Sequence, residues 1–540
     1  MSTEATYLLL PEIILVLFAT LIYLGGAFLP LRRGWSWVAS SGVVLAAVAL
    51  YQQGTSAVGR SALESGLLSG PLAVDLFSAT LCWSILGTGL IFIMLAARTS
   101  EQGESSEFMG SLLAILAGVM LVALGADLVT IFVGLELISI PTYVILFLGR
   151  GPKLLEAGTK YFFLSILSSA LLLYGFTFLY GSAGSTGLNQ IQQALSAAGT
   201  EGAALTWFAR LALIFIVAGL GFRITVVPFH FYAPDVYQGT TNPNAGLLSI
   251  IPKIAGFVAL VRIAYVAMPG LEPLGWQLSL ALAMVTMSLG NLLALWQNNV
   301  RRLLAYSSIA QAGYMLIGLA VGFAVAGGAS EANHFDGIGG MFFYLLAYAA
   351  ATAGTFGALT YLSSAKQQVN TVDDLAGLAQ HHPRIAGAVA LFMFSLTGLP
   401  PLAGFWGKFY LFTGALGVDA KVSSESSLWT WFLALTIVGA LNAAISAAYY
   451  LRIVGVMYFR PAIGRLDARG GSGAAWAVAV CALLVIGIGL DPGLPLERAN
   501  LASQSARVTF GPDALPVETA AHPAVAPGSV LPGQIAGDAH

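Results

Sequence analysis

Charged residues are scarce in this chain. Lys and Arg total 23 and Asp and Glu total 25 among 540 residues, whereas 57% of the residues are hydrophobic and the mean hydropathy is +0.83. A soluble globular domain cannot bury so much apolar surface, so the composition indicates an integral membrane protein. The formal net charge of −2 and the lack of a long basic run argue against a nucleic-acid partner.

Cysteines and nucleotide-binding motifs are also rare. Cys82 and Cys481 lie in apolar segments and follow no spacing that is typical of a disulfide framework, a zinc site or an iron–sulfur site. The sequence contains no GxGxxG or GxxxxGK[ST] motif. We therefore expect no cofactor and no metal ion in this chain itself.

Long hydrophobic runs are what the sequence does contain. About 20 apolar residues cross a bilayer as a helix. The chain has fourteen candidates for such spans, at 8–29, 35–51, 72–97, 108–125, 128–149, 154–181, 205–227, 242–268, 274–296, 302–325, 338–364, 385–415, 428–459 and 473–490. The predicted fold is an all-α polytopic membrane protein with about 14 transmembrane helices. Residues 1–7 carry no positive charge, so we predict that the first span is a retained helix rather than a cleaved signal peptide.

The loops between the spans predict the orientation, because cytoplasmic loops carry an excess of Lys and Arg. With the N-terminus outside, twelve cations lie in cytoplasmic loops: Arg32, Arg33, Arg98, Arg150, Lys153, Arg301, Arg302, Lys366, Arg384, Arg460, Arg465 and Arg469. Five lie in the outside loops and tail: Arg60, Arg210, Lys421, Arg498 and Arg507. We therefore predict an inner (cytoplasmic) membrane protein with both termini on the non-cytoplasmic side.

The remaining six cations fall inside predicted spans: Lys160, Arg223, Lys253, Arg262, Lys408 and Arg452. A cation at the bilayer centre costs roughly 2.5–3.5 kcal/mol on insertion scales, so each needs a partner, water or a function. Arg262 and Arg452 lie near span ends beside tyrosines and are predicted to reach the interface. An i,i+4 pair with Glu156 could explain Lys160, and a functional role for this lysine also stays open.

Prolines accompany the deeper charges. Pro141 follows Glu136 and Pro228 follows Arg223, and each proline removes a helix hydrogen bond close to the charged residue. Pro252 directly precedes Lys253, and "LTGLPPLAGFWGK" places two prolines before Lys408. Broken helices at membrane depth are tolerated only against protein or a water-filled cavity. The pattern predicts a hydrated polar line through the membrane.

The breaks in spans seven and twelve also predict a repeat. They lie five spans apart, and an odd shift inverts the second copy, as in inverted repeats around a midplane site. We predict an N-terminal three-helix region at 1–107, a first repeat at 108–268 and a second, inverted repeat at 274–459. A C-terminal helix at 460–490 and a loosely ordered tail at 491–540 would follow. The connections "LNQIQQALSAAG" and "VDDLAGLAQHH" suggest short surface helices.

Six phrases then resemble a known family: "GLELISIPTYVILFLGR", "KYFFLSILSSALLLYG", "PFHFYAPDVYQG", "PKIAGF", "NVRRLLAYSSIAQAGYMLIG" and "SLTGLPPLAGFWGKFYLF". In this order they closely resemble subunit N of proton-pumping NADH-quinone oxidoreductase, respiratory complex I, over about residues 1–490. The wider family includes the L and M subunits and the large subunits of cation/proton antiporters. These typically have a Pro-Asp-Ala-His phrase, whereas this chain has the N-type Pro-Asp-Val-Tyr at 234–237.

The resemblance implies two five-helix units, spans four to eight and nine to thirteen, with a proton half-channel in each. It also implies site residues: Glu136 matches the span-five acid, and Lys160, Lys253 and Lys408 match the lysines of spans six, eight and twelve. His230 matches the Pro-x-His position, although a lone histidine is equally compatible with a structural donor.

Two residues depart from the family pattern. Arg223 stands where the family usually has a lysine, and we expect it to act as a fixed cation that pairs with Glu136. Gln311 stands where many N subunits have a histidine, and it can at most orient water because glutamine does not titrate.

The implied function is coupling of quinone reduction to proton translocation. NADH, FMN, iron–sulfur clusters and quinone would belong to other subunits, and the partners would be M- and L-type subunits, small membrane subunits and lipid. The alternatives are a subunit of a multisubunit cation/proton antiporter or of a ferredoxin-dependent relative of complex I. A purely structural scaffold would leave Lys253 and Lys408 unexplained.

Overall fold

The computed structural model describes residues 3–29, 34–56, 59–60, 63, 66–97, 104–148, 151–197, 203–328, 337–363, 368–418, 427–462, 468 and 470–509. The chain begins with α1 (Thr3–Leu8), α2 (Leu10–Phe28), α3 (Gly34–Thr55), β1 (Leu67–Ser69) and β2 (Leu72–Val74). The helices α4 (Leu76–Ala96), α5 (Glu104–Leu124), α6 (Leu128–Phe147), α7 (Pro152–Ala183), α8 (Leu188–Ala197), α9 (Ala203–Ile224), α10 (Tyr232–Gly239) and α11 (Asn242–Leu260) follow. The chain continues with α12 (Glu272–Leu295), α13 (Val300–Ala326), α14 (Gly337–Leu362), α15 (Leu378–His381), α16 (Pro383–Thr397), α17 (Ala403–Leu416), α18 (Ser427–Phe459), α19 (Gly471–Leu490) and α20 (Gly493–Val508).

The predicted fold class is confirmed. Thirteen helices of the described residues are long and apolar enough to cross a membrane. The twelfth predicted span, 385–415, is divided into α16 and α17, and the predicted surface helix in the connection after span six is α8. The second suggested surface helix is a 3₁₀ turn at Asp373–Leu375 followed by the short α15. One feature was not predicted: β1 and β2 form an antiparallel hairpin before α4.

The core of the bundle is formed by α5, α11, α13 and α14. In each of these helices, 83–100% of the residues in the most apolar 18-residue stretch are buried inside the protein. Helix α11 passes directly into a π-helical turn at Val261–Val266. Polar side chains on these four helices have little access to lipid or water, so they need partners within the protein.

The spans alternate in direction, and contacts between their connections define two sides. On the first side, where α2 begins, Ala126 donates its N–H to Pro71 and Leu128 donates to Thr186, at 2.9 Å each. On the second side, where α2 ends, Val300 donates to Asn370 at 2.8 Å. The inverted relation of the two five-helix units stays a prediction.

The tail prediction was wrong for its first part. Gly493–Val508 forms α20, which buries Ala499, Ala502 and Ala506 against the first side of the bundle. The Ser505 hydroxyl accepts the Phe77 N–H at the start of α4 at 3.1 Å. The prediction used the average composition of residues 491–540. That average does not reveal a short helical segment whose alanines lie on one face. Residues 510–540 lie outside the described residues.

The prediction for Arg262 was also wrong. Its side chain is 0% exposed and binds Asp75 through two hydrogen bonds, Nη1 to Oδ2 at 2.7 Å and Nη2 to Oδ1 at 2.9 Å. Arg262 Nη2 also donates to the Ala123 carbonyl at 3.0 Å. Asp75 is the N-cap of α4, and the hairpin before it turns this carboxylate inward. The arginine therefore has a buried partner and does not reach the interface.

Arg452 is partly buried. It donates to the carbonyls of Leu295 (3.3 Å) and Gln297 at the second-side end of α12. Carbonyls at a helix C-terminus lack partners within the helix, so this arginine caps α12.

Candidate functional site

The break in span seven positions Arg223. Helix α9 ends at Ile224 because Thr225 adopts a left-handed φ of 62°, a conformation that costs a threonine energy and persists only where its surroundings enforce it. Val226 donates its N–H to Gly221 at 2.9 Å, and Val227 donates to the Thr286 hydroxyl of α12 at 3.2 Å. Arg223 therefore lies in the last turn of a helix that ends inside the bundle.

Arg223 contacts Glu136, as predicted. Arg223 Nη2 lies 3.2 Å from Glu136 Oε1, and Nη1 donates to the Leu135 carbonyl at 3.1 Å and to the Ser139 hydroxyl at 3.0 Å. The Ser169 hydroxyl of α7 donates to the same carboxylate oxygen at 2.6 Å. The arginine is 3% exposed and Glu136 is 27% exposed, so this ion pair lies at the edge of the first unit.

Lys160 belongs to a different cluster on the second side. Its Nζ lies 2.7 Å from Glu156 Oε1 and 2.8 Å from Asp235 Oδ2, and Arg302 Nη1 binds Asp235 Oδ1 at 2.7 Å. Lys160 precedes Ser169 by nine residues of one helix, which is about 13 Å along its axis. The structure therefore separates Lys160 from Glu136. Burial alone would raise the pKa of Asp235, but the hydrogen bonds from Lys160 and Arg302 outweigh it and lower the pKa.

Lys253 lies at the centre of the bundle and is 0% exposed. Its Nζ donates to the Ser308 hydroxyl of α13 at 2.7 Å, and that hydroxyl lies 2.7 Å from the Tyr348 hydroxyl of α14. Tyr348 donates to the Ser249 carbonyl at 3.1 Å. Among the described residues, no carboxylate oxygen lies within 4.0 Å of this ammonium group.

Gln311 is the next polar group along α13, one turn after Ser308. It accepts a short hydrogen bond from the Tyr344 hydroxyl and donates through Nε2 to the Tyr450 hydroxyl at 3.0 Å. Tyr450 also forms a short hydrogen bond with Ser307. The sequence analysis missed these tyrosines. The sequence contains one indication of them: Tyr344 and Tyr348 are four residues apart, which places them on one face of α14.

Lys408 is the second buried lysine and is 4% exposed. Its Nζ donates to the carbonyls of Leu396 and Thr397 at 2.9 Å each and lies 4.7 Å from the centre of the Tyr314 ring. Helix α16 ends at Thr397, and its last carbonyls have no partner within the helix. Gly398, with a φ of 95°, turns the chain away, and a Cβ there would lie 3.1 Å from the lysine side chain. The break therefore places two helix-end carbonyls against a buried cation.

Gln311 joins the two lysines. Its Nε2 also lies 3.4 Å from the Leu396 carbonyl that Lys408 binds. A polar line thus runs through Lys253, Ser308, Tyr348, Tyr344, Gln311 and Lys408. Its steps are one hydrogen bond or one helical turn, except that Gln311 and Lys408 meet at the shared Leu396 carbonyl. His230 lies in the 225–231 segment, and its buried Nδ1 has no hydrogen-bond partner among the described residues. No hydrogen bond seen in the described residues connects the His230 ring to this line.

A metal site is not seen in the described parts of the chain, where no three His, Cys, Asp or Glu side chains are grouped closely enough to hold an ion. The ammonium groups and hydroxyls of the line carry exchangeable protons, whereas the Gln311 amide only donates and accepts hydrogen bonds.

Comparison with known proteins shows the family of this chain. The family model described as "NADH:quinone oxidoreductase/Mrp antiporter, TM" matches residues 125–433, which include both ends of the polar line. The chain is 36% identical over 464 residues to NADH-quinone oxidoreductase subunit N of Trichlorobacter lovleyi, which covers 85% of this chain and 88% of that relative. The chain belongs to the NADH-quinone oxidoreductase subunit N family.

Two solved structures share the fold of this chain. A chain of respiratory complex I from Thermus thermophilus has 31% sequence identity and a TM-score of 0.72, with 90% of this chain and 98% of that chain covered. A chain of the Mrp complex from Dietzia sp. has a TM-score of 0.76 at 19% identity, with 94% and 99% covered, and this likeness concerns the fold alone.

Proposed function

We propose that this subunit N family member is a membrane-arm subunit of complex I that passes protons along the line from Lys253 to Lys408. The observation that carries the proposal is that both lysines are buried and that neither forms an ion pair with a carboxylate among the described residues. An unpaired cation at membrane depth costs several kcal/mol, which a purely structural residue has no reason to retain. Such a lysine can lose its proton and regain it, whereas a lysine in an ion pair holds it more firmly.

Each of the other site residues has a proposed role. Arg223 is a fixed cation that holds Glu136, because a guanidinium does not deprotonate in proteins. Gln311 carries no titratable proton and orients its neighbours. Lys160 lies at the second-side surface, where it can collect protons with Glu156 and Asp235. His230 is a relay or a structural donor in the break of span seven.

The redox chemistry is proposed to lie in other subunits. NADH, FMN, iron–sulfur clusters and quinone would be bound there, and their reaction would drive rearrangement of the charges in this chain. The proposed partners are M- and L-type membrane subunits, small membrane subunits and lipid. The partial exposure of Glu136 at membrane depth supports a neighbouring subunit on that face, because a carboxylate in contact with lipid is costly.

The alternative is a subunit of a multisubunit cation/proton antiporter or of a ferredoxin-dependent relative of complex I. The likeness to the Mrp complex supports only the fold. Copurification in mild detergent distinguishes these cases: flavin and iron–sulfur absorbance with an NADH-oxidising module supports complex I, and antiporter subunits without chromophores contradict it.

The site is tested by Lys253→Arg. Arginine keeps the charge but does not release its proton, so proton translocation should fall by at least about tenfold, a lower bound on the roughly 10²–10⁴-fold that a positioned acid–base group contributes. The measurement is proton uptake by vesicles that contain the assembled complex. Arg223→Lys is the matched control, because it keeps a cation beside Glu136 and should retain most of the pumping. Pumping by Lys253→Arg at the wild-type rate would show that Lys253 need not titrate.

The membrane orientation is a separate proposal. The cation bias of the loops supports an inner-membrane protein with both termini on the non-cytoplasmic side, which would make the first side the outer one. Tags before Met1 and after His540 should therefore both react with an impermeant reagent added to intact spheroplasts, whereas a cysteine placed beside Arg302 should not. A C-terminal tag that reacts only after lysis would mean that the number of crossings is odd.

A further inference from the structure

One oxygen of a buried carboxyl outside the polar line has no partner among the described residues. Glu12 lies in the first turn of α2, and its side chain is only 6% exposed. Its Oε2 has no hydrogen-bond partner among the described residues, and none of the ion pairs that these residues form includes Glu12. The polar line of α11, α13 and α14 makes no use of this residue.

Glu12 lines a cavity between α2, α3 and α4. The cavity has a volume of about 80 Å³ and lies on the first side, bordered by Tyr7 and by Ser56 after α3. One water needs roughly 10–15 Å³ of such space, so the cavity has room for several. Its polar lining includes Gln53, Ser78 and Cys82.

The neighbouring polar groups are already engaged. Gln53 donates to the carbonyls of Tyr7 and Leu8, and Ser78 exchanges hydrogen bonds with Asp75. Asp75 binds Arg262, so these two charges are paired with each other. The other titratable groups among the described residues that line the cavity are the Cys82 thiol and the Tyr7 hydroxyl, and neither is a cation. A buried carboxylate without a counter-ion is costly, and it becomes neutral by binding a proton.

We propose that Glu12 is a proton-binding site that exchanges protons with water on the first side through this cavity. The ligand is the proton, delivered by cavity water that hydrogen-bonds the free carboxyl oxygen. The site is separate from the line between Lys253 and Lys408 and does not depend on the function proposed for that line.

Carbodiimide labelling of the assembled complex tests this assignment, because a hydrophobic carbodiimide reacts with protonated carboxyls. At about pH 7, exposed carboxyls are ionised, so the Glu12 peptide should carry about ten times more adduct by mass spectrometry than the peptide of exposed Glu497. The adduct should disappear in Glu12→Gln. Glu12 labelling no greater than that of Glu497 would overturn the assignment of a bound proton.

Access to the cavity is tested with a cysteine at Gly54, which lines the cavity and has room for a side chain. In a background without Cys82 and Cys481, a small neutral methanethiosulfonate should modify the Gly54→Cys variant in the folded complex, whereas an unreactive thiol there would overturn exchange through the cavity. Both readouts are independent of NADH oxidation and pumping. Failure here therefore leaves the test at Lys253 intact, and failure of that test leaves Glu12 intact.

Discussion

Replacing Lys408 with alanine should lower proton translocation by about tenfold or more, while the assembled complex keeps its flavin and iron–sulfur clusters. The ammonium group is the only donor described for the Leu396 and Thr397 carbonyls apart from Gln311. Its removal takes away the exchangeable proton and leaves two helix-end carbonyls without their cation. Vesicle pumping, NADH oxidation and cofactor absorbance should be measured on one preparation.

A surface lysine supplies the matched control for this experiment. Lys153→Ala removes an exposed lysine at the start of α7 and should leave pumping within about twofold of the wild type. Loss of flavin or iron–sulfur clusters at normal assembly would contradict the assignment of this chain as a membrane-arm subunit. Normal pumping by Lys408→Ala would remove Lys408 from the line.

Breaking the Asp75–Arg262 pair should be the most damaging change to stability. Removing one partner of a fully buried ion pair costs about 3–5 kcal/mol, because the other charge stays buried and unpaired. Arg262→Met should therefore lower the yield and the midpoint of thermal unfolding of the purified complex. The double variant Asp75→Asn/Arg262→Met, which leaves no unpaired charge, should recover part of the loss.

An exposed ion pair is the control for that series. Arg460 and Asp373 lie 2.6 Å apart at 60% and 57% exposure, and such pairs contribute about 0–1 kcal/mol. Arg460→Met should hardly move the unfolding midpoint. If Arg262→Met were as mild as Arg460→Met, or if the double variant were worse than the single one, the buried pair would not have the proposed stabilising role.

The spans and their breaks could be predicted from the sequence because each depends on local properties. Apolar runs of spanning length gave the helices, and the prolines near Arg223 and Lys408 marked the points at which α9 and α16 end. The ion pair of Glu136 and Arg223 also followed from two charges at membrane depth that needed a partner. Family resemblance supplied the remaining candidates, including Lys160, whose surface position separates it from Glu136.

Features that depend on distant contacts could not be predicted in this way. Arg262 seemed close enough to a span end to reach the interface, but Asp75, 187 positions away, binds it in the interior. In the sequence, nothing but their place in apolar segments describes Tyr344, Tyr348 and Tyr450. Only the packing of three helices brings their hydroxyls to Gln311 and Ser308. The unpartnered oxygen of Glu12 could not be predicted either, because it depends on how α2, α3 and α4 pack together.

The helix end at Thr397 has a consequence for how the line responds to acid and base. The groups that attract the Lys408 ammonium are backbone carbonyls, whose dipoles carry no titratable proton. A carboxylate partner would disappear on protonation, whereas these carbonyls remain in place at every pH. In the proposed pumping cycle, the same two carbonyls would still face the Lys408 side chain after it had released its proton. The helix break therefore supplies acceptors for this side chain that no change of pH removes.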